Sequence, residues 1–437
     1  MEERFPSRII GNSDRELGPE DMLRMGKAIG QESRYVLVGK DSRPTTDMMY
    51  QSFVAGLIST GAKAYLAGTI PLSAMPFNDL DVNCLAYIGS PENEDRASGL
   101  DLMNKDGTYF TENQMNRFND ALNKVADNGE KRDILYRPVN IENMYDLYKS
   151  RIRSVSKHIQ SDTIVDLFYD SLFHNTPMML NDIRSQIFMV NCHMTDTSMD
   201  RIVPHSESDL KLLSRNVKAS YGSIGIAINA NGTRIAGIDE NGGYISGILM
   251  FALLMERLKP SSVAMPIDTP MIITDLFKAD YTFTPTASQH IGEFTKTRNV
   301  KFGGAKDGTF IFPTLSRAPD GIVAASIIAD MAAEFGIADY LNSLPKYTVV
   351  NTAMRYIGNI KLVMRRVDYE LKSIECERFA SSDGWRLDYG DGMVFVNLDD
   401  VQQTVNVRVE SKDKMYSTGL MEIATEAIAK ALSSISK

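Results

Sequence analysis

A chain of 437 residues is too long for one ordinary core, so several domains of about 100 to 200 residues each are expected. Its 43% hydrophobic and 24% charged residues are those of a soluble globular protein. The net charge of −9 disfavours non-specific nucleic-acid binding, which needs a basic face to replace counterions.

Three cysteines, Cys84, Cys192 and Cys376, lie far apart, and none sits in a C-x-x-C pair. This odd, sparse set argues against a disulfide framework and fits a reducing compartment. The N-terminus has no signal-type apolar core, and no apolar run approaches the roughly 18 residues of a membrane span. The expectation is a cytoplasmic chain that touches neither membrane nor nucleic acid.

In chain order, "YVLVG" (35–39) reads as a strand and residues 45–61 as a helix ended by Gly61. "KAYLAG" and "CLAYIG" are further strands. A polar helical stretch, 140–159, joins this unit to a second one marked by strands at 163–168, 186–191 and 223–228. A third unit has strands at 261–267, 281–286 and 310–313. Strands alternating with helical patterns predict parallel or mixed sheets flanked by helices, three such units in series. The last ninety or so residues differ. "YTVVNTAMRY", "GWRLDYGDGMVFVN" and "TVNVRVES" alternate as half-exposed strands. A final helix follows, with Leu420, Ala424, Ile428 and Leu432 on one face. That predicts a C-terminal α+β domain with a mostly antiparallel sheet.

Other chemistries find no support in the sequence. The five histidines lack zinc-site spacing, and no glycine-rich nucleotide loop follows a strand.

Several stretches resemble the phosphohexomutases, the phosphoglucomutase and phosphomannomutase superfamily. "VLVGKDSRPTTDMM", "SGLDLMNKDGTYFTENQ", "SIGIAINANGTRIAGIDENGGYISG", "FGGAKDGTFIFP" and "DGWRLDYGDGMVFVNLDDVQQTVNVRVES" follow the family's order along nearly the whole chain. The resemblance implies four domains around a central cleft, expected at 1–139, 140–238, 239–344 and 345–437. It also implies a reaction that moves a phosphoryl group between the C1 and C6 oxygens of a hexose through a phosphoserine. That chemistry needs a carrier serine, a divalent cation, a loop that reads sugar hydroxyls and a cationic clamp for the non-reacting phosphate.

Each of the four loops departs from the family's pattern. The serine loop T-A-S-H-N-P is here "YIGSPENEDRASG", which leaves Ser90 as candidate carrier beside Glu92, Glu94 and Asp95. The metal loop D-G-D-x-D-R, aligned on Arg234, places Asn229, Asn231 and Thr233 where aspartates coordinate magnesium. Magnesium dehydrates reluctantly and favours charged oxygens, so no tightly held cation is expected there. The retained Arg234 is expected to bind an anion or to pair with a carboxylate on the rim. In the sugar loop, Ala305 replaces the glutamate, leaving Lys306 and Asp307 as candidate contacts. The phosphate loop R-P-S-G-T-E-P becomes Asn397 to Gln403, with Asp399 and Asp400 opposing a phosphate dianion and Arg408 on the next strand. Arg43 is kept in the first unit.

Two readings follow. In the first, the chain is a family relative without mutase activity, binding a sugar phosphate, another small molecule or a protein partner. In the second, it is a divergent mutase that uses phospho-Ser90 and Mg2+.

Overall fold

The computed structural model describes residues 2–5, 8–12, 16–41, 43–89, 97–125, 135–155, 162–167, 187–191, 206–220 and 224–435. Its strands form four sheets that follow one another along the chain. Three are mixed and flanked by helices; the fourth is antiparallel.

The first sheet has seven strands, in the order Glu2–Phe5, Arg8–Asn12, Ala97–Met103, Cys84–Gly89, Tyr35–Lys40, Lys63–Thr69 and Val139–Asn140. Cys84–Gly89 is buried along its whole length. An uninterrupted apolar run is what a strand covered on both faces requires. The helix expected at 45–61 runs from Pro44 to Ser59, with proline at its first position. It crosses the helix Pro19–Glu32 closely because both carry glycine at the crossing. A Cβ on Gly26 would stand 2.1 Å from the Phe53 carbonyl oxygen, and one on Gly56 2.0 Å from that of Leu23.

The second sheet orders Tyr244–Ile245, Ile235–Ile238, Ile224–Ile228, Thr163–Asp166 and Ile187–Val190. Ile224–Ile228 pairs in parallel with Thr163–Asp166 and turns back antiparallel on Ile235–Ile238. Ile224–Ile228 and Ile235–Ile238 thus form a hairpin with the loop 229–234 at its tip. The third sheet is Asp280–Thr284, Ser262–Pro266, Phe302–Gly304 and Phe310–Ile311. The buried helix Gly321–Glu334 follows it.

The fourth sheet is antiparallel throughout, in the order Thr348–Arg355, Thr404–Ser411, Gly392–Asp399, Gly384–Tyr389 and Arg378–Ser381. Thr348–Arg355 alternates between half-buried and exposed, as expected of an edge. The inner strands are more buried than half-exposed alternation predicts. The reason is a second cover. Valines of one face pack with Leu420, Ala424 and Ile428 of the last helix. On the other side, Met393 and Phe395 meet Ile267 and Met271 of the third unit. Among the described residues no single helix is long and apolar enough to cross a membrane.

Candidate functional site

In the loop 229–234 the side chains of Asn229, Asn231 and Thr233 form an uncharged hydrogen-bond network, with Asn231 Nδ2 buried and left without a partner. Asn229 Oδ1 accepts from the backbone N–H of Thr233 at 2.8 Å and of Arg234 at 2.9 Å. Two backbone donors fix which end of the carboxamide is oxygen. The Asn229 amino group must then face inward, where it donates to Asn231 Oδ1 at 2.8 Å and Thr233 Oγ1 at 3.1 Å. Thr233 Oγ1 donates in turn to Asn231 Oδ1 at 2.6 Å. All three residues are 2% exposed.

Magnesium, which the family resemblance implies, does not fit this donor set. An aspartate at 229 would turn a second carboxylate oxygen inward; asparagine turns two N–H hydrogens there, and its neighbours' oxygens are spent on receiving them. Among the described residues no three His, Cys, Asp or Glu side chains gather as metal ligands elsewhere.

The loop is instead a joint between three units. The Asn231 carbonyl accepts from Leu72 N–H of the first unit at 2.9 Å, and the Gly232 carbonyl from Gly321 N–H of the third at 2.8 Å. Gly232 has φ +77°, which a side chain would strain. Arg234 reaches the rim of the third unit, pairing through Nη2 with Asp307 Oδ2 at 2.9 Å and donating from Nε to Thr309 Oγ1 at 3.1 Å. Of its two expected roles, the carboxylate pairing is the one observed. Beside this joint, Tyr148 donates to Asp320 Oδ1 at 2.7 Å and lies 3.1 Å from Ser73 Oγ. Asp320 caps the helix Gly321–Glu334 through Val323 N–H. Burial pushes the Asp320 carboxyl up to about 7, against the hydrogen bonds that favour its charge.

Lys306 and Asp307 are neighbours in sequence but serve different partners. Lys306 Nζ pairs with Asp268 Oδ2 at 2.5 Å, at the edge of a cleft of about 550 Å³ between the third and fourth units. Arg408 faces the same cleft. It pairs through Nε with Glu410 Oε1 at 3.1 Å, donates from Nη2 to the Asp268 carbonyl and lies over Phe395 at 5.7 Å. Arg234 and Asp307 thus meet at the joint, while Lys306 and Arg408 meet across the cleft.

The stretch aligned with the phosphate loop is a tight hairpin connection. Asp399 pairs with Thr404 across the two strands. Asp399 Oδ1 accepts from Gln402 N–H at 2.9 Å, and Gln403 takes φ +52°. Asp400 accepts from Tyr356 OH at 3.3 Å, and Val401 is 95% exposed. None of these residues offers a cationic side chain to a phosphate.

In the first unit, Arg43 is buried and held by Asp41: its N–H donates to Oδ1 at 3.0 Å and its Nε to Oδ2 at 2.9 Å. Asp41 N–H donates to the Ile88 carbonyl, so this pair lies against the end of the strand that leads toward position 90. Ser90 itself lies outside the described residues.

Sequence reasoning missed four groups that shape the site: Asp268, Asn351, Asn406 and Arg386. Arg386 is 0% exposed, donates from Nη1 to the carbonyls of Ile267 and Thr269, pairs with Asp388 at 2.8 Å and lies 4.8 Å from the Phe283 ring centre. It fastens the fourth unit to the third. An arginine two positions before Asp388, in a strand of mixed apolar and charged residues, was its only signal.

Residues 8–128 match the family described as phosphoglucomutase/phosphomannomutase, alpha/beta/alpha domain I. A relative described as "Probable phosphoglucosamine mutase", from Methanococcoides burtonii, is 25% identical over 427 residues, covering 94% of this chain and 96% of its own. The fold is similar to that of a crystal structure of a phosphoglucomutase/phosphomannomutase family protein from Burkholderia thailandensis, with a TM-score of 0.80 at 16% identity, over 97% of this chain and 96% of that one. An N-acetylphosphoglucosamine mutase of Aspergillus fumigatus, solved with GlcNAc-6P and magnesium, gives a TM-score of 0.50 at 10% identity over 91% of this chain and 77% of that one. With the four sheets in the expected order and relatives aligned from end to end, the chain belongs to the phosphohexomutase superfamily, as a divergent member.

Proposed function

We propose that this chain is a non-catalytic phosphohexomutase relative: it binds a small carbohydrate-type ligand but does not run magnesium-assisted phosphoryl transfer between hexose oxygens. The orientation of Asn229 carries this reading, because its inward N–H groups occupy the place where a cation needs oxygen lone pairs. The hairpin with Asp399 and Asp400 supports it. A phosphate dianion is bound by charge-assisted hydrogen bonds worth about 1.5–3 kcal/mol each, and carboxylates supply none. No tightly bound cofactor belongs to this reading, and the cytoplasm is its compartment.

The second reading, an active mutase using phospho-Ser90 and Mg2+, is favoured by one observation: the match to a relative described as a mutase extends over 94% of the chain. Purified protein is incubated with glucosamine 1-phosphate, glucose 1-phosphate or mannose 1-phosphate, magnesium and a hexose bisphosphate. The proposal expects no conversion above a blank. Conversion that disappears in Ser90→Ala would establish the second reading instead.

A further inference from the structure

The cleft between the third and fourth units is floored by one face of the fourth sheet, and the register sets its chemistry. Two cross-strand rows lie on that face. The first runs Asn351, Arg408, Phe395; the second runs Ala353, Asn406, Asn397. Among the described residues, the carboxamides of Asn351 and Asn397 have no hydrogen-bond partner in the protein. Asn406 accepts from Thr404 Oγ1 at 3.1 Å, which leaves its amino group for the cleft. Ala353 keeps the centre of the edge row low.

The cations of the cleft are already matched. Lys306 pairs with Asp268 at 2.5 Å, and Arg408 with Glu410 at 3.1 Å. Asp399 and Asp400 extend from the strand that carries Asn397. The site is a set of neutral donor–acceptor groups in an electrically balanced cleft of about 550 Å³, within the usual size of small-molecule pockets. A carboxamide both donates and accepts, and so does each hydroxyl of a sugar ring.

We infer that this cleft binds an uncharged, polyhydroxylated ring, a free hexose or N-acetylhexosamine, through Asn351, Asn397 and Asn406. The inference rests on the non-catalytic reading above and names its ligand class. The Arg408 guanidinium, whose carbon lies 5.7 Å from the Phe395 ring centre, forms the wall against which the ring lies.

The test uses the full chain in a chelator, without magnesium or bisphosphate, so that no turnover intervenes. Glucose, mannose and N-acetylglucosamine are titrated beside their 6-phosphates at low and high salt. The expected result is saturable binding of at least one free sugar, with its phosphate no tighter than about threefold and little salt dependence. Asn397→Ala combined with Asn406→Ala should weaken that binding about tenfold or more while the melting midpoint holds. Asn351→Asp serves as a second variant and should weaken the phosphate more than the free sugar. Two results overturn the inference: a phosphate that binds about tenfold more tightly than its sugar and weakens with salt, or no free sugar binding at millimolar concentration. Failure of the non-catalytic reading shows up separately, as turnover in the magnesium assay.

Discussion

The side-chain amino group of Asn229 donates to the carboxamide oxygen of Asn231 at 2.8 Å, inside a hairpin tip where the family carries aspartates. That contact gives the tip an uncharged network in place of charged ligands, with one buried donor, Asn231 Nδ2, left without a partner. The hairpin persists because its backbone carbonyls hold the first and third units, a task that needs no ion.

Restoring the acidic loop should restore the ion. In the triple variant Asn229→Asp, Asn231→Asp, Thr233→Asp, three buried carboxylates crowd one another without a counter-charge. We expect a large fall in melting midpoint in chelator and a substantial recovery in millimolar magnesium, since binding to the folded state stabilises it. The natural chain should melt at the same temperature in both. Differential scanning fluorimetry reads all four conditions.

Removing Asp307 takes from Arg234, whose side chain is 13% exposed, the carboxylate it pairs with at 2.9 Å. Asp307→Ala should cost about 1–2 kcal/mol, and Asp307→Asn less, because an amide oxygen still accepts. Urea unfolding monitored by tryptophan fluorescence and circular dichroism gives the difference. No loss in Asp307→Ala would show that the pair does not tie the second unit to the third.

Arg386 is the more costly residue to lose. Its guanidinium satisfies two carbonyls and a carboxylate between the third and fourth units. Arg386→Ala should destabilise by about 3–5 kcal/mol, since it leaves those acceptors buried and unpaired. Limited proteolysis should then cut the fourth unit from the rest faster than in the natural chain. An unchanged cleavage rate would contradict this.

Asp320 gives stability a pH dependence with a definite sign. Its folded pKa, pushed up to about 7 by burial, lies above that of an unfolded aspartate, about 3.9. The folded chain therefore binds more protons between those values. The contribution is present in full below about pH 4 and is lost as pH rises toward 7. Asp320→Asn cannot titrate, so its stability relative to the natural chain should rise across that window, by up to about 1.4 kcal/mol per pH unit. Parallel melting curves at pH 5 to 8 test this, and a constant difference would rule out titration of Asp320.

Much of the architecture was readable in the sequence because local and global preferences agree. The apolar run of Cys84–Gly89 reads as a buried strand, and it is one. The identities at 229, 231 and 233 disclosed the loss of charge before any geometry was known. What escaped depends on convergence. Asn351 and Asn406 come from strands far apart in sequence and share one face only through the sheet register, and Asp268 joins them because the third unit borders the same cleft. Arg386 looked like a residue of a half-exposed strand, and is fully buried because carbonyls of Ile267 and Thr269, more than a hundred positions earlier, receive it.

Isothermal titration of magnesium into the full natural chain probes the neutral hairpin tip most directly. The account predicts no saturable heat up to millimolar ion. A stoichiometric, saturable isotherm that disappears in Asn231→Ala would contradict it, because magnesium would then be held by the very side chains argued to leave it no room.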